Sequence, residues 1–166
     1  MKKKGCMAVM MALVMAASVS QVSFAWSFGG KKEEAKGYEY VSGETRVVMN
    51  QDAAPVIAGL GKPTDVFEQP SCAYQGNDRV YYYADVDVTT YTENKKEKVA
   101  SVYLKTDQVQ TEEGLKVGGT YDEMVKVYGK DYKEINQIYT YKKNGTELSF
   151  EMTNQKISAI EYRMAD

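Results

Sequence analysis

Residues 98–104 read "KVASVYL" and residues 156–162 read "KISAIEY", with the charged or apolar character of nearly every position kept. Val, Ile and Tyr at this density suit a pleated, half-buried surface, so both stretches are expected as strands. The likeness extends upstream. "DAAPVIAGLGK" at 52–62 aligns with "TYDEMVKVYGK" at 120–130, a constant shift of 68 residues. Ala53, Val56, Ile57 and Leu60 stand at i, i+3, i+4 and i+7, and Tyr121, Met124, Val125 and Tyr128 fill the same slots. That spacing puts each set on one stripe of a short helix.

Both helices carry start and stop signals. Asp52 and Thr120 have side-chain oxygens that can accept from the free N–H groups of a first turn, and Thr120 with Glu123 makes a capping-box pattern. Pro55 falls at the third helical position, where a missing N–H costs nothing. Gly61 and Gly129 follow the last apolar positions, and Pro63 closes off the first helix. Strands are expected after each helix, at 79–84, 86–92 and 98–104 and again at 136–142, 146–152 and 156–162. Asn144-Gly145 is a two-residue hairpin signal between the first two of the second set. The shift drops to 58 residues at the strands because the first copy carries a longer connector, "EQPSCAYQGN". The expected fold class is therefore α+β: two tandem repeats, about 45–107 and 113–166. Each is a short helix followed by a three-stranded antiparallel meander, and the two join in one curved sheet with the helices on one face.

The unit "VGGTYDEMVKVYGK … YTY … ELSFEMTNQKISAIEY" resembles the SmpA/OmlA (BamE-type) family of small outer-membrane lipoproteins, and the tandem arrangement resembles the β-lactamase inhibitory protein superfamily. The resemblance covers residues 45–166 and rests on structural motifs that carry no chemistry. It departs from both families, since the lipidated cysteine of the first and the paired disulfides of the second are missing. What it implies is a binding role, either inhibition of a secreted or cell-wall enzyme or assembly at the cell envelope.

The N-terminus reads as an address. Lys2, Lys3 and Lys4 precede the uncharged apolar run "GCMAVMMALVMAASV", which ends in "SFA" with small residues at Ser23 and Ala25. This is the pattern of a secretory signal peptide over 1–25, with an uncleaved signal anchor as the alternative. Residues 26–44, opening "WSFGGKKEEAKG", read as a flexible tether. Removing the signal takes away three lysines and leaves 18 basic against 23 acidic residues, a net charge of −5. No basic stripe is present, so nucleic acid is not an expected partner.

The chain contains no histidine. That removes the usual general base, the His-activated nucleophile and the commonest metal ligand. No catalytic residue, no metal and no cofactor is expected. After the signal only Cys72 remains, with no cysteine to pair with inside the chain. It reads as a small buried hydrophobe, a reactive thiol, an intermolecular bridge or a contact in a binding loop. Strand alternation then assigns Leu148, Phe150, Met152, Ile160, Tyr162, Tyr139 and Tyr141 to the core, with Val88, Thr90, Thr92, Val102, Leu104, Tyr81 and Tyr83 as their counterparts. The opposite face shows Val80, Tyr82, Thr89, Tyr91, Val99, Ser101 and Tyr103. A register slip of one residue would expose Tyr81 and Tyr83 instead. Tyrosine offers rigid area with a polar tip, so Tyr82, Tyr91, Tyr103, Val80 and Thr89 are the candidate contacts of an exported, non-catalytic protein-binding module. Plain dressing of the sheet is the other reading. The expected partner is another protein, with the membrane involved only if the signal segment stays attached. Pairing of an open edge strand with a second copy remains open.

Overall fold

The computed structural model describes residues 36–72 and 76–165. A hairpin opens the fold, with β1 at Glu39–Ser42 and β2 at Thr45–Val48, turned by Gly43 at φ 58°. Helix α1 (Ala53–Leu60) comes next, then β3 (Asp65–Pro70), β4 (Asn77–Tyr82), β5 (Val86–Glu93) and β6 (Lys96–Leu104). Helix α2 (Tyr121–Tyr128) precedes β7 (Lys133–Ile135), β8 (Ile138–Lys143), β9 (Thr146–Thr153) and β10 (Lys156–Met164). The hairpin is a sheet of its own, and the other eight strands form one antiparallel sheet in the order β3-β4-β5-β6-β10-β9-β8-β7.

The expected fold class is thereby corrected. The protein is mostly β, with two eight-residue helices against ten strands among the described residues, and it is not a pair of helix-plus-three-strand repeats. A fourth strand lies outside each expected meander, as β3 and β7. Both are exposed along their whole length and give no alternation to read. The segment expected as a tether over 26–44 differs too. From Glu39 it is strand, and Tyr40 is buried. The signal segment 1–25 and residues 26–35 lie outside the described residues.

The helices form where their caps dictate. The Asp52 side chain accepts from the Ala54 N–H at 3.0 Å. Thr120 and Glu123 close the capping box, with the Thr120 N–H donating to Glu123 Oε2 at 2.8 Å and the Glu123 N–H to Thr120 Oγ1 at 3.3 Å. Gly61 and Gly129 take φ values of 85° and 82°, which a residue with a Cβ adopts only under strain, and their N–H groups satisfy the carbonyls of Ile57 and Val125.

One face of the sheet builds the core in rungs that cross strands. Tyr141, Leu148, Tyr162, Val102 and Val88 are successive register partners, and so are Phe150, Ile160, Leu104 and Val86. All are buried, and Val56 of α1, Met124 of α2 and Tyr40 and Val47 of the hairpin close over them. The hairpin is tied down where Asn50 N–H donates to the Val99 carbonyl at 2.8 Å and Val99 N–H to Gln51 at 3.0 Å. Val99 itself departs from expectation. The β5–β6 register shifts between Thr89 and Thr90, and this bulge turns Val99 into the core. Truncating Phe150 to Ala should cost about 3–5 kcal/mol in urea unfolding, since the ring is fully enclosed. Thr120→Ala, which opens the capping box, should cost about 1 kcal/mol.

Candidate protein-binding face

The alternation that buries Val102 and Leu104 sends their neighbours to the other face of the sheet, which no helix covers among the described residues. Register defines two rungs there. The first runs through Ser149, Glu161, Tyr103, Asp87 and Tyr82. The second runs through Glu147, Arg163, Ser101, Thr89, Val80 and Phe67. Tyr82, Tyr103, Val80 and Thr89 therefore share one face as expected from the sequence, each half-buried. Tyr81 and Tyr83 pack against the core on the helix side.

Tyr91 does not join them. It is 5% exposed and its hydroxyl donates to Asn50 Oδ1 at 2.7 Å, so it ties β5 to the end of the hairpin instead of meeting a partner. Cys72 follows β3 and is an exposed free thiol, which corrects its reading as a small buried hydrophobe. Among the described residues no group of three His, Cys, Asp or Glu side chains is placed to hold a metal ion.

The electrostatics of the face are uneven. Glu147 is 2% exposed and sits between Lys142 at 2.6 Å and Arg163 at 2.5 Å. Burial alone would raise its pKa, but the two cations outweigh that and hold it below the ordinary carboxylate value. The Arg163 contact runs from Nη2 to Glu147 Oε2, while the buried Arg163 Nε has no hydrogen-bond partner among the described residues. Asp87 is met by Lys105 Nζ at 2.7 Å. The centre of the face is less well compensated. Tyr103 donates to Glu151 Oε2 at 3.3 Å, and burial, followed by the Glu151 charge, pushes the Tyr103 hydroxyl pKa up. Glu161 lies between Tyr103 and Ser149 with its pKa raised, first by burial and then, against the pull of Arg163, by Glu151 and Glu147.

Apolar groups mark both ends. Phe67 on β3 is 51% exposed, and Ile135 and Ile138 are exposed on β7 and β8 beside a hollow of about 290 Å³ that Lys133, Thr140, Lys142 and Arg163 also line. Sequence reasoning missed Phe67, Glu151 and Glu161. The alternation in "KISAIEY" does place Glu161 opposite the core, but the strands beside it create its burial.

No family model matches the chain, and no curated protein matches it. Two similar solved structures are an extracellular protein containing an SCP domain from Bacillus anthracis str. Ames and a cysteine-rich secretory protein from Staphylococcus aureus subsp. aureus Mu50. The first is 13% identical with a TM-score of 0.44, covering 75% of this chain and 47% of that one. The second is 14% identical with a TM-score of 0.38, covering 70% and 44%. The chain spans about half the length of the structures it matches. The resemblance drawn from the sequence to outer-membrane lipoproteins and β-lactamase inhibitory proteins is corrected, and the tandem-repeat description with it: no family model matches, the similar structures are of neither kind, and the eight-stranded sheet is not two helix-plus-three-strand repeats.

Glu161 makes a pH prediction. Its folded pKa lies above its unfolded one, so its ionised form costs stability above the folded pKa, and that cost disappears below the unfolded pKa. Glu161→Gln should therefore raise the urea midpoint at neutral pH and leave it unchanged near pH 3. A midpoint equally raised at both would contradict the assignment.

Proposed function

We propose that this protein is an exported, non-catalytic protein-binding module that works through the helix-free face of its sheet. The observation that carries the reading is the central rung, where half-buried Tyr103 and Tyr82 flank Asp87 and Tyr103 adjoins Glu161, on a face that no helix covers among the described residues. Tyrosine supplies contact area at little entropic cost, and a carboxylate already partly desolvated loses little further hydration when a cation reaches it. The face therefore suits a partner that brings apolar or aromatic surface with an Arg or Lys aimed at Glu161 and Glu151. The side chains themselves support a non-catalytic role. The chain has no histidine, and Glu147 and Asp87 are engaged by cations while Glu151 accepts from a tyrosine. Export rests on the basic and apolar N-terminal sequence, and the extracellular and secretory origin of the two similar structures is compatible with it. The inhibitor and envelope-assembly readings stood on the corrected resemblance and are not carried forward.

The test is affinity capture from the host's envelope and culture fractions with the full chain, beside a Tyr82→Ser/Tyr103→Ser double variant whose unfolding curve matches the wild type. The expected result is a protein held by the wild type, bound about tenfold or more weakly by the variant, and released by moderate salt. The same proteins captured equally by both baits would contradict the proposed face.

A further inference from the structure

The two edges of the eight-stranded sheet are finished differently. On one side β7 is only three residues long and begins with Lys133, two features that discourage another strand from adding there. On the other side β3 runs six residues with no basic side chain, every residue is exposed, and its sole strand neighbour among the described residues is β4. Its Val66 is 43% and its Phe67 51% exposed. An edge strand of this length, with apolar side chains on both faces and its Val66 N–H held only locally, by the adjacent Asp65 Oδ1 at 2.9 Å, is a template for pairing once that local bond is exchanged.

The sequence of β3 says what would pair with it. Pro70 has no N–H to donate and ends the usable edge, leaving Asp65–Gln69 with Phe67 at its midpoint. When identical strands pair antiparallel about an axis through Phe67, the two Phe67 rings meet. Asp65 then faces Gln69 of the other copy, and Val66 faces Glu68. No like charges stand opposite one another, and the Asp65 carboxylate can accept from the Gln69 amide. Glu68 does not interfere, because Arg79 Nε donates to it at 2.6 Å within its own chain and Asn77 Nδ2 donates as well. By contrast, an axis through Glu68 would set two carboxylates face to face.

We propose that β3 pairs with β3 of a second copy of this chain, about a twofold axis at Phe67, to make one continuous sixteen-stranded sheet. The helix-free faces of the two copies then run on across the junction, with Phe67 and Val80 of each at its centre. One strand pair lies at the small end of specific interfaces, so the dissociation constant is expected in the micromolar range, on the order of 10–100 µM. This proposal does not depend on the partner reading above.

Sedimentation equilibrium of the full chain should show a reversible monomer–dimer equilibrium. Phe67→Lys should raise its dissociation constant by about tenfold or more, whereas Val127→Lys, at a comparably exposed apolar position on α2, should leave it unchanged. The register is read by crosslinking in a Cys6→Ser/Cys72→Ser background. Partners on paired strands have Cα atoms about 4.5–5.5 Å apart, within disulfide reach. Phe67→Cys should therefore form a linked dimer under mild oxidation. The two copies of Gln69 would stand about 14 Å apart along the strands, so Gln69→Cys should not link. A chain that stays monomeric throughout the micromolar range, or equal crosslinking at 67 and 69, would overturn the proposal. So would a dimer untouched by Phe67→Lys.

Discussion

The structure depends on the pairing of β6 with β10. Four register pairs hold it, Ser101–Arg163 to Leu104–Ile160, and they fall within or beside the two stretches whose likeness first marks the sequence. Without this seam there would be two four-stranded sheets, each with a bare inner edge and half a core. With it, the apolar rungs run unbroken from Tyr141 to Val88 and from Phe150 to Val86. The residues at the seam, Val102, Leu104, Ile160 and Tyr162, are all buried to within 1% of completely. Burying such side chains contributes about 1.5–3 kcal/mol each, so the junction is where the fold gains most from joining its strands.

The same alternation fixes the working surface. Each residue turned toward the helices obliges its neighbours to face the other way, so Ser101, Tyr103, Glu161 and Arg163 meet on the uncovered side. The protein neutralises that side unevenly. Glu147 is clamped between two cations, while Glu161 is partly desolvated near two other carboxylates. A surface of this kind is stable enough to persist and still gains from a positively charged visitor. The edge at β3 is a separate resource, six residues long with Val66 and Phe67 exposed, where β7 is only three residues long.

What could be read from the sequence follows from what leaves a local trace. The helices were legible because Asp52, Thr120, Glu123, Gly61 and Gly129 act within one turn of themselves. The strands with one buried face were legible through period-two alternation, as in Leu148, Phe150 and Met152. β3 and β7 were not, because exposure on both faces removes the alternation and Pro70 makes "DVFEQP" read as a connector. The hairpin hid behind the polar run "KKEEAK", although Gly43 between Tyr- and Val-bearing flanks was its one local signal. Four of the five candidate residues, Tyr82, Tyr103, Val80 and Thr89, lie on the same side of the sheet as alternation alone put them. Tyr91 failed because its burial comes with Asn50, 41 residues away in sequence, and Val99 because a bulge has no signature in "KVASVYL". The family resemblance failed for a related reason: capped helices and Tyr/Val-rich strands recur wherever a helix packs on a sheet and do not identify a lineage.

The central claim is that the β6–β10 seam makes the eight strands one cooperative sheet. Native-state amide hydrogen exchange tests it most directly, residue by residue. The account predicts that the seam amides of 101–104 and 160–163 that face their partner strand exchange only through global unfolding, with the same free energy and denaturant dependence as β5 and β9. Exchange at the seam through a smaller opening, while β4–β5 and β8–β9 stay protected, would show two sheets lying side by side and contradict the account.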